Sequence, residues 1–480
     1  MLKPKLLIHQ LKKVRSLWVE PPPRKRVLVY HGFEVDFPEI RFRYSACGRE
    51  FVNRVTLGCC SKEQFERVAP EVMAGILDGV GIVFTVYFFS LADFAAVQVE
   101  SPSFQASSRP FWEDFAFRAL GEFRFVNGLD PARRVTFLGG SSGGGPRPPR
   151  IDTSSRVLLL NGGGKDSVVS VELLKAMDVP FDFFNVDPNP TRDGIMALSG
   201  DRESLDVKIQ TDPSIEGHSR YRWWPEAAGA LICFLAQIPA VVHGYRYVAL
   251  GNEYSADFGN VRYRGIEINH QYDKSSEFEK NFDEYIRSFV LQGIETFSLL
   301  RPLYDLRIAG IFTRFERYFP VFVSCNNGLK NGVWCKRCPK CAFVYLALRG
   351  FLDEEPLKRI FGEDLFQRPR IRRHILDMVA GKVRPWECIG TQDECRLALR
   401  LALDRMQGQD FPEWPRRKHL EAPLRGLDVD AYRRRYLDGF HEPHWIPGEL
   451  AARLKAVLAT YALAPDLRSG SAQALHVAST

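Results

Sequence analysis

The central part of the chain alternates short apolar runs with stretches of helical periodicity. Val157–Leu160, Phe181–Val186 and Tyr247–Leu250 are apolar runs of strand length, and Val207–Gln210 is a further candidate strand. Between the first two runs, Val168–Leu174 repeats its apolar residues at helical spacing. Apolar strands that alternate with helices are typical of a parallel sheet covered on both faces. The pattern predicts an α/β fold built on a doubly wound parallel sheet.

The residues before this pattern predict a mixed α/β unit of their own. Val27–Tyr30, Ile40–Tyr44, Phe51–Leu57 and Gly81–Ser90 are rich in β-branched and aromatic residues, which predicts four strands. Lys62–Leu77, which lies before the last of them, has the periodicity of a helix. Because this unit contains no catalytic motif, the chemistry is expected in the rest of the chain.

Composition marks the boundaries between the predicted domains. Residues 139–155 read GGSSGGGPRPPRIDTSS, which is too rich in glycine, proline and serine for a packed core and predicts a flexible linker or exposed loop. Beyond Phe351 the pattern is mostly helical and charged. The chain is therefore divided into an N-terminal mixed α/β domain at 1–138, the linker at 139–155, a catalytic domain at 156–350, an α-helical C-terminal region at 351–464 and a disordered tail at 465–480.

Composition and charge limit the compartment and the partners. The 480 residues carry a net charge of +7, which is modest for this length and argues against a broad basic surface for RNA. No uninterrupted apolar run of about 18 residues predicts a membrane span, and the basic N-terminus has no signal-peptide cleavage site. We expect a cytoplasmic protein that binds a small anionic molecule and neither nucleic acid nor membrane, with its oligomeric state left open.

A glycine-rich turn follows the strand at Val157–Leu160. The sequence from Gly162 to Ser167, GGGKDS, lacks the spacing of a Walker A loop and resembles the SGGxDS loop of the PP-loop ATP pyrophosphatases, with Gly162 in place of the leading serine. Lys165 would offset phosphate charge, and Asp166 would reach a metal such as Mg²⁺. An ordinary glycine-rich turn is the alternative. The predicted ATP-binding residues are Asn161, Gly162, Gly163, Gly164, Lys165, Asp166 and Ser167.

Polar residues also follow the strand at Tyr247–Leu250, where α/β enzymes place their chemistry. Glu253 and Asp257 would hold Mg²⁺ or a substrate ammonium, and Asn252 or Asn260 would donate a hydrogen bond to a substrate carboxylate. These residues are predicted to bind substrate or metal at the carboxyl edge of the sheet.

Residues with acid–base chemistry occur on both sides of this polar segment. His270 and Lys274 stand four residues apart and would face the same side if the segment were helical. Arg220 and Arg222 are interleaved with aromatic residues and would hold a phosphate or a carboxylate, with a solvated surface turn as the alternative. The candidates for acid–base work are His270 and Lys274, followed by Glu253 and His218.

Four of the ten cysteines are clustered. Cys325, Cys335, Cys338 and Cys341 offer four thiolates within one short loop, the arrangement that tetrahedral structural zinc requires. An iron–sulfur cluster and unligated thiols are the alternatives. Neither Cys388 nor Cys395 has another cysteine or a histidine at a spacing typical of metal ligands. Both are interpreted as core thiols.

Six motifs taken together resemble those of the MurL family. Between residues 121 and 391 they are, in order, GGGKDS, GNEYSADFGN, INHQYDKSSEFE, FSLLRPLYDLRIA, CKRCPKC followed by FVYLAL, and PWECIGT. MurL proteins are ATP-dependent epimerases of UDP-N-acetylmuramoyl-L-alanyl-L-glutamate in bacterial peptidoglycan precursor synthesis. The resemblance implies a HUP-type PP-loop fold, conversion of the terminal L-Glu to D-Glu through an acyl-adenylate, and conversion of ATP, with Mg²⁺, to AMP and pyrophosphate.

Three alternatives to this function stay open from the sequence. PP-loop proteins with a nearby four-cysteine zinc site also include 7-cyano-7-deazaguanine synthases, which adenylate a carboxylate and add ammonia. Certain tRNA thiolases share the same parts but need a catalytic cysteine pair and a basic RNA-binding surface. A nucleotide-binding scaffold that has lost turnover through Gly162 would bind ATP without releasing pyrophosphate.

Overall fold

The computed structural model of the chain describes residues 27–141, 147–221, 227–381, 384–406 and 423–461. The strands are β1 (Val27–Asp36), β2 (Glu39–Ala46), β3 (Arg49–Leu57), β4 (Ala96–Val99), β5 (Thr136–Gly139), β6 (Ser154–Leu160), β7 (Phe181–Val186), β8 (Ser204–Gln210), β9 (Tyr245–Leu250), β10 (Val261–Tyr263), β11 (Ile266–Ile268) and β12 (Glu295–Ser298).

The described chain also contains α-helices between and after these strands. They are α1 (Lys62–Glu66), α2 (Pro70–Phe84), α3 (Arg109–Ala119), α4 (Gly121–Val126), α5 (Lys165–Ala176), α6 (Pro190–Ser199), α7 (Ser214–Gly217), α8 (Ala228–His243), α9 (Ser276–Phe289), α10 (Asp305–Phe312), α11 (Pro339–Arg349), α12 (Glu354–Phe361), α13 (Pro369–Val379), α14 (Gln392–Arg405), α15 (Val429–Arg433) and α16 (Gly448–Thr460). Short 3-10 helices at Thr85–Ser90 and Tyr272–Lys274 also enter the argument below.

Ten strands form one sheet, and β10 and β11 form a separate hairpin. The order in the large sheet is β12-β9-β6-β7-β8-β3-β2-β1-β4-β5. The neighbours from β12 to β8 are parallel, those from β8 to β1 are antiparallel, and β1, β4 and β5 are again parallel. The predicted α/β class is confirmed, with a sheet that is mostly parallel.

The central strands predicted from the apolar runs are confirmed. Strands β6, β8 and β9 contain the predicted segments, and β7 matches Phe181–Val186 at both ends. All six side chains of β7 are buried, which explains why this strand has a continuous rather than an alternating apolar pattern. The three strands predicted between Val27 and Leu57 also form.

The strand predicted at Gly81–Ser90 is wrong. The segment is the end of α2 followed by the 3-10 helix at Thr85–Ser90, and the predicted helix at Lys62–Leu77 is divided between α1 and α2. Every residue from Gly79 to Ser90 is buried, so the segment has no polar face. A helix buried on all sides has the same uninterrupted apolar composition as a buried strand, and periodicity cannot separate the two.

Two hydrophobic cores lie on opposite faces of the sheet. Val157 and Leu159 of β6 belong to one core and Leu158 to the other, as the alternation of side chains along a strand requires. The first core includes α5, α10, α11 and the C-terminal helices, and the second includes α2, α3, α8 and α9. Helices therefore cover both faces of the sheet, and the loops at the ends of its strands stay accessible to ligands.

One sheet extends across the predicted domain boundary. Strand β3 pairs with β8, with Arg54 opposite Gln210 and Leu57 opposite Val207. Strands of the two predicted α/β domains are therefore hydrogen-bonded to each other. The described part of 351–464 is helical, as its pattern predicted, and contains no described strand. Residues 142–146 of the predicted linker and the tail 465–480 lie outside the described residues. The domain boundaries themselves stay a prediction.

One helical stretch, Pro70–Ser90, is long and apolar enough to cross a membrane by length and composition. In the folded chain 89% of its most apolar part is buried, where α2 packs against α8 and β1. A buried core helix has this composition, so the stretch is accounted for by the second hydrophobic core.

We predict that Gly79→Ala in α2 destabilises the fold. A Cβ on Gly79 would lie 2.2 Å from ring atoms of the fully buried Phe234 in α8, and overpacking of this kind costs roughly 1–3 kcal/mol. Gly448→Ala at the start of α16 is the control, because its added Cβ meets nothing within 4 Å. Urea denaturation followed by circular dichroism measures both variants. Equal unfolding midpoints for the two would contradict the close contact between α2 and α8.

Candidate functional site

Three neighbouring parallel strands end together at one edge of the sheet. Strand β12 pairs with β9 and β9 pairs with β6, all in parallel, so the loops after Leu160, Leu250 and Ser298 start from the same edge. These loops carry the glycine-rich turn, the polar segment 251–260 and residues 299–304. The two segments in which the sequence predicts ATP and substrate binding are therefore adjacent in space.

The glycine-rich turn is closed by its own hydrogen bonds. Gly162 N donates to Ser167 Oγ (2.8 Å), and Gly163 N donates to Asn161 Oδ1 (3.2 Å). Gly163 has φ +82°, a conformation that favours glycine. A Cβ on Gly162 would meet only Ser167 Oγ, at 3.5 Å, so packing does not exclude the serine that PP-loop proteins have at this position.

The turn is fixed against the segment that precedes the cysteine cluster. A Cβ on Gly164 would lie 2.8 Å from Ser324 Oγ, which also accepts a hydrogen bond from Lys165 N (3.3 Å). Val323 N donates to Gly163 O (3.1 Å). A larger residue at 164 would have to displace the Ser324 hydroxyl, and these contacts hold the start of α5 in place.

Lys165 forms a buried ion-pair cluster at the start of α5. Its Nζ lies 2.5 Å from Asp166 Oδ1 and 2.5 Å from Asp305 Oδ1. Burial opposes the charge of Lys165, but Asp166, Asp305 and Glu253 outweigh it and raise the pKa of the ammonium. Burial also raises the pKa of Asp305 to about 8, although Lys165 acts in the opposite direction. Three carboxyl groups thus surround one ammonium, and burial makes Asp305 the one that most readily takes up a proton.

A second cluster joins His270 and Lys274 through Cys388. Lys274 Nζ donates to Cys388 Sγ (3.0 Å), and His270 is hydrogen-bonded to both Cys388 and the carboxylate of Glu122. The side chains of His270 and Glu122 are 6% and 8% exposed, and as whole residues His270 and Cys388 are both partly exposed. The 3-10 helix covers only Tyr272–Lys274, so His270 and Lys274 do not share a helix, yet they reach the same thiol.

Opposite charges stabilise each other in this second cluster. Burial disfavours the imidazolium of His270, but hydrogen bonds to Cys388 and Glu122 raise its pKa to about 10. The negative charge of Cys388 is the largest cause that raises the pKa of Lys274. Burial favours the neutral thiol of Cys388, yet Lys274, Lys340 and His270 together lower its pKa to about 6. At neutral pH the cluster therefore holds a thiolate between cations, and we call it the thiolate cluster.

Glu253 and Arg301 connect the two clusters. The carboxylate of Glu253 acts electrostatically on both Lys165 and Lys274. The fully buried guanidinium of Arg301 donates to Glu253 O (2.7 Å) and to Lys274 O (2.5 Å), and also to Glu279 Oε2 (3.1 Å). The glycine-rich turn and the thiolate cluster are therefore neighbouring parts of one site.

Two residues predicted to bind substrate have protein partners in the structure. Asp257 accepts hydrogen bonds from Ser276 N (2.6 Å) and Ser276 Oγ (2.8 Å) at the start of α9. Asn260 accepts a hydrogen bond from His270 N (2.9 Å) and donates to Pro385 O (2.8 Å). Both residues thereby position the segment that carries His270 and Lys274.

The C-terminal region contributes to the same site through the loop PWECIGT. Arg384 donates to Ser255 O (3.0 Å) and Gly259 O (3.1 Å), and Glu394 accepts a hydrogen bond from Ser255 Oγ (2.8 Å). These bonds fix the loop onto the polar segment after β9. They place Cys388 next to residues more than 110 positions earlier in the chain.

The remaining predicted residues lie elsewhere. His218 and Arg220 are exposed, and Arg220 N donates to Ser90 O (3.0 Å). Among the residues that the structure describes, no hydrogen bond or ion pair joins these two side chains to either cluster. Asn252 is half-buried two positions after the end of β9. Arg222 lies outside the described residues.

Several residues of the site were not identified from the sequence. Cys388 had one signal, its place in the single distinctive loop of a helical region. Glu122 lies in an aromatic-rich segment without a catalytic motif, and its hydrogen-bond partner, His270, is 148 residues away in the chain. Asp305 and Arg301 lie in the motif FSLLRPLYDLRIA, but nothing in their spacing indicates that they meet Lys165 and Glu253.

The four clustered cysteines surround a single point beside the site. Their Sγ atoms lie within 4.8 Å of one another, with 3.8 Å between Cys325 and Cys338 and 3.7 Å between Cys335 and Cys341. A disulfide bond is about half as long, whereas a tetrahedral ion with Zn–S bonds of about 2.3 Å separates its sulfurs by about 3.8 Å. The cluster has the dimensions of a site for one tetrahedral metal ion.

A surface cavity of about 830 Å³ lies at the opposite edge of the sheet. It is lined by residues at the amino ends of the same strands, including Ser155 of β6, Arg246 of β9 and Glu295 of β12. Because Arg246 and Glu295 form an ion pair there (3.2 Å), the cavity contains charges but neither of the clusters described above. We therefore place the candidate site at the carboxyl edge.

Three relatives share the name UDP-N-acetyl-alpha-D-muramoyl-L-alanyl-L-glutamate epimerase. The protein from Salinispora tropica is 29% identical over 404 residues, which are 80% of this chain and 85% of the relative. The protein from Micromonospora sp. is 34% identical over 308 residues, 62% of this chain and 67% of the relative. The protein from Xanthomonas oryzae pv. oryzae is 28% identical over 340 residues, 68% of this chain and 74% of the relative. No solved structure matches the chain.

Two family models match the chain in succession. The model of the MurL N-terminal domain matches residues 22–299, and the model of the MurL C-terminal domain matches residues 321–419. The first carries the glycine-rich turn with His270 and Lys274, and the second carries the four clustered cysteines and Cys388. Because the N-terminal model alone covers more than half of the residues, this protein belongs to the MurL family.

Proposed function

We propose that this protein epimerises the terminal L-glutamate of UDP-N-acetylmuramoyl-L-alanyl-L-glutamate to D-glutamate and converts ATP to AMP and pyrophosphate. The relatives from three bacteria carry the name of an epimerase of this substrate. The observation that supports the proposal most directly is that Arg301 donates hydrogen bonds to the carbonyls of both Glu253 and Lys274, which holds the loop after β9 against the thiolate cluster. A nucleotide loop and groups that can move a proton would then act on one substrate. None of the three relatives is named as a deazaguanine synthase or a tRNA thiolase.

The chemistry of the substrate explains why such an epimerisation needs ATP. Removal of an α-proton beside an ionised carboxylate would create a dianion, so the free glutamyl residue is a very poor carbon acid. Attack of the carboxylate oxygen on the α-phosphorus of ATP releases pyrophosphate and gives an acyl-adenylate, whose carbonyl can delocalise the carbanion. After a proton returns to the opposite face of the α-carbon, water cleaves the adenylate and AMP leaves.

We assign ATP to the glycine-rich turn, in a HUP-type PP-loop fold. Helix α5 begins at Lys165 and is long enough for the positive end of its dipole to favour phosphate there. The side chain of Asp166 is 31% exposed and that of Asp305 is 4% exposed. Asp166 is therefore the carboxylate that would hold Mg²⁺, which would supply positive charge beside the phosphates.

The other predicted groups have roles around this nucleotide. The proposed acid–base residues are His270, Lys274 and Glu253. His218 lies outside the two clusters. Asn252 is the predicted substrate residue without a described protein partner, so we assign it to the substrate carboxylate. Arg220 is the described candidate for a substrate phosphate. We place the reaction in the cytoplasm, where ATP and nucleotide-linked precursors are made.

We further propose that the four clustered cysteines hold a structural zinc ion. Sulfur separations of 3.7 and 3.8 Å support one ion rather than an iron–sulfur cluster, in which several atoms separate the thiolates. Four thiolates leave no open coordination position, so the ion would anchor the chain and bind no substrate. The ion would fix α11 and the segment of Ser324 that packs against the glycine-rich turn.

The proposed reaction is tested in D₂O with the UDP-linked dipeptide, ATP and Mg²⁺. We expect D-glutamate with deuterium at the α-carbon, and AMP and pyrophosphate as the nucleotide products. Chiral analysis of the released glutamate and mass spectrometry measure these outcomes. Epimerisation at the same rate with and without ATP would contradict the proposal. Amidation of the glutamyl carboxylate when ammonia is supplied would also contradict it.

Asp166→Asn should abolish pyrophosphate release without unfolding the chain. The substitution removes the exposed carboxylate beside Lys165, and loss of the metal-holding group should lower turnover by a factor of about 10² or more. Asp178→Asn is the matched control, since Asp178 is exposed just beyond the other end of α5 with φ +52°, which asparagine tolerates. Pyrophosphate release from Asp166→Asn equal to that of the control would exclude Asp166 from the site.

Cys338→Ser should remove the bound metal. We expect about one zinc ion per purified chain and a clear loss of zinc in the variant, because four thiolates are needed to close the tetrahedron. Elemental analysis by mass spectrometry measures the content, and thermal unfolding should occur at lower temperature in the variant. Cys60→Ser, outside the cluster, should keep its zinc. Iron in place of zinc in the unaltered protein would overturn this assignment.

A further inference from the structure

Cys388 is the group around which His270 and Lys274 are arranged. Lys274 Nζ donates to its sulfur at 3.0 Å, and the imidazole of His270 is hydrogen-bonded to the same sulfur. Glu122 holds the other side of the imidazole, so carboxylate, imidazole and thiol form a continuous chain. A base oriented by a carboxylate and bonded to a thiol is the arrangement that activates catalytic cysteines.

The two cations of the cluster are poor candidates for accepting a proton. Glu122 and Cys388 hold His270 as an imidazolium, and Cys388 holds Lys274 as an ammonium. Neither charged form has a free lone pair on the nitrogen that faces the cluster. The thiolate is therefore the group of the three that can take a proton at neutral pH.

We propose that the thiolate of Cys388 is the base that removes the α-proton of the activated glutamyl residue. This inference rests on the proposed epimerase function and names the proton acceptor for it. The C–H bond breaks and an S–H bond forms, while the electron pair passes into the carbonyl of the acyl-adenylate. Because Lys274 and His270 lie on the side of the sulfur, water returns a proton to the opposite face of the α-carbon. The thiol passes its proton to the hydroxide left behind, which restores the thiolate.

The position of the sulfur supports this role. Cys388, His270 and Lys274 are all partly exposed as whole residues, so the cluster is not sealed inside a hydrophobic core. The neighbouring Glu253 faces both Lys274 and Lys165, which places the thiolate cluster next to the glycine-rich turn. In the substrate, the carboxylate that is activated and the α-carbon that loses its proton are joined by a single bond. Adenylation at the turn and proton removal at the thiolate cluster therefore require the two clusters to be close together.

The protonation of Cys388 depends on charges from several elements. Lys274 and His270 face it from the segment before α9, Lys340 from α11 and Arg384 from its own loop. Glu122 of α4 acts through His270, and Glu253 and Asp273 act through Lys274. A base works best when its pKa lies near the working pH, because it must be both deprotonated and basic. The pKa of Cys388, about 6, meets that condition.

The first test separates ATP use from proton transfer. In Cys388→Ser and Cys388→Ala, α-proton exchange with D₂O and epimerisation should fall by a factor of about 10²–10⁴. The burst of pyrophosphate in a single turnover should persist, because adenylation precedes proton removal. Cys47→Ser, at an exposed cysteine of the β2–β3 turn, is the control and should behave as the unaltered protein.

The outcomes of this test are distinct. If both Cys388 variants exchange the α-proton at the rate of the control, the inference is overturned. It is also overturned if a folded variant loses the pyrophosphate burst and proton exchange to the same extent, because that result indicates a structural role for Cys388. If the unaltered protein neither consumes ATP nor epimerises the dipeptide, the proposed function fails instead.

The second test uses the unaltered full-length protein and needs no substrate. Alkylation of Cys388 by iodoacetamide, followed peptide by peptide with mass spectrometry, should increase with pH about a midpoint near 6. In Lys274→Met the midpoint should move upward, because the thiolate loses a bonded cation. A midpoint at the ordinary thiol value of about 8.5 in the unaltered protein would overturn the inference, whatever the activity.

Discussion

The buried guanidinium of Arg301 determines the relative position of the two halves of the site. It follows β12 in the chain and donates to the backbone carbonyls of Glu253, from the loop after β9, and Lys274, from the segment before α9. Its charge is balanced by Glu279 at 3.1 Å and Asp257 at 3.5 Å. Removal of a cation from such a place leaves buried carboxylates without a partner, which costs several kcal/mol. The clusters around Lys165 and Cys388 can therefore keep their spacing without any direct bond between them.

The two clusters have opposite electrostatic imbalances. Around Lys165 three carboxyl groups surround one ammonium, so a phosphate would compete with Asp166 and Asp305 for Lys165. Around Cys388 the cations exceed the anions, which keeps the thiol deprotonated. Glu253 acts on a cation of each cluster: it adds to the negative charge around Lys165 and offsets part of the positive charge around Cys388. In a partly buried site these interactions are screened less than at the surface, so small movements of the loops change the proton distribution.

The C-terminal region completes the site instead of forming an accessory unit. Arg384 and Glu394 bind the loop after β9, and Thr391 caps α14 through the same glutamate in a capping box. The segment just before the four cysteines contacts the glycine-rich turn through Ser324. The two family models therefore meet at the thiolate cluster, with His270 from one and Cys388 from the other. In this chain both segments are therefore needed to form the thiolate cluster.

The sequence alone determined the elements whose signals are local. The strands β6 to β9, the glycine-rich turn and the spacing of the four cysteines each depend on neighbouring residues, and the structure places them as expected. The buried helix ending in the 3-10 turn at Thr85–Ser90 was mistaken for a strand because burial on all sides removes the polar positions that reveal periodicity. Only the tertiary structure decided which charges meet. Glu122, His270 and Cys388 are separated by more than 110 residues at each step, and such pairings follow from the packing of the sheet and helices.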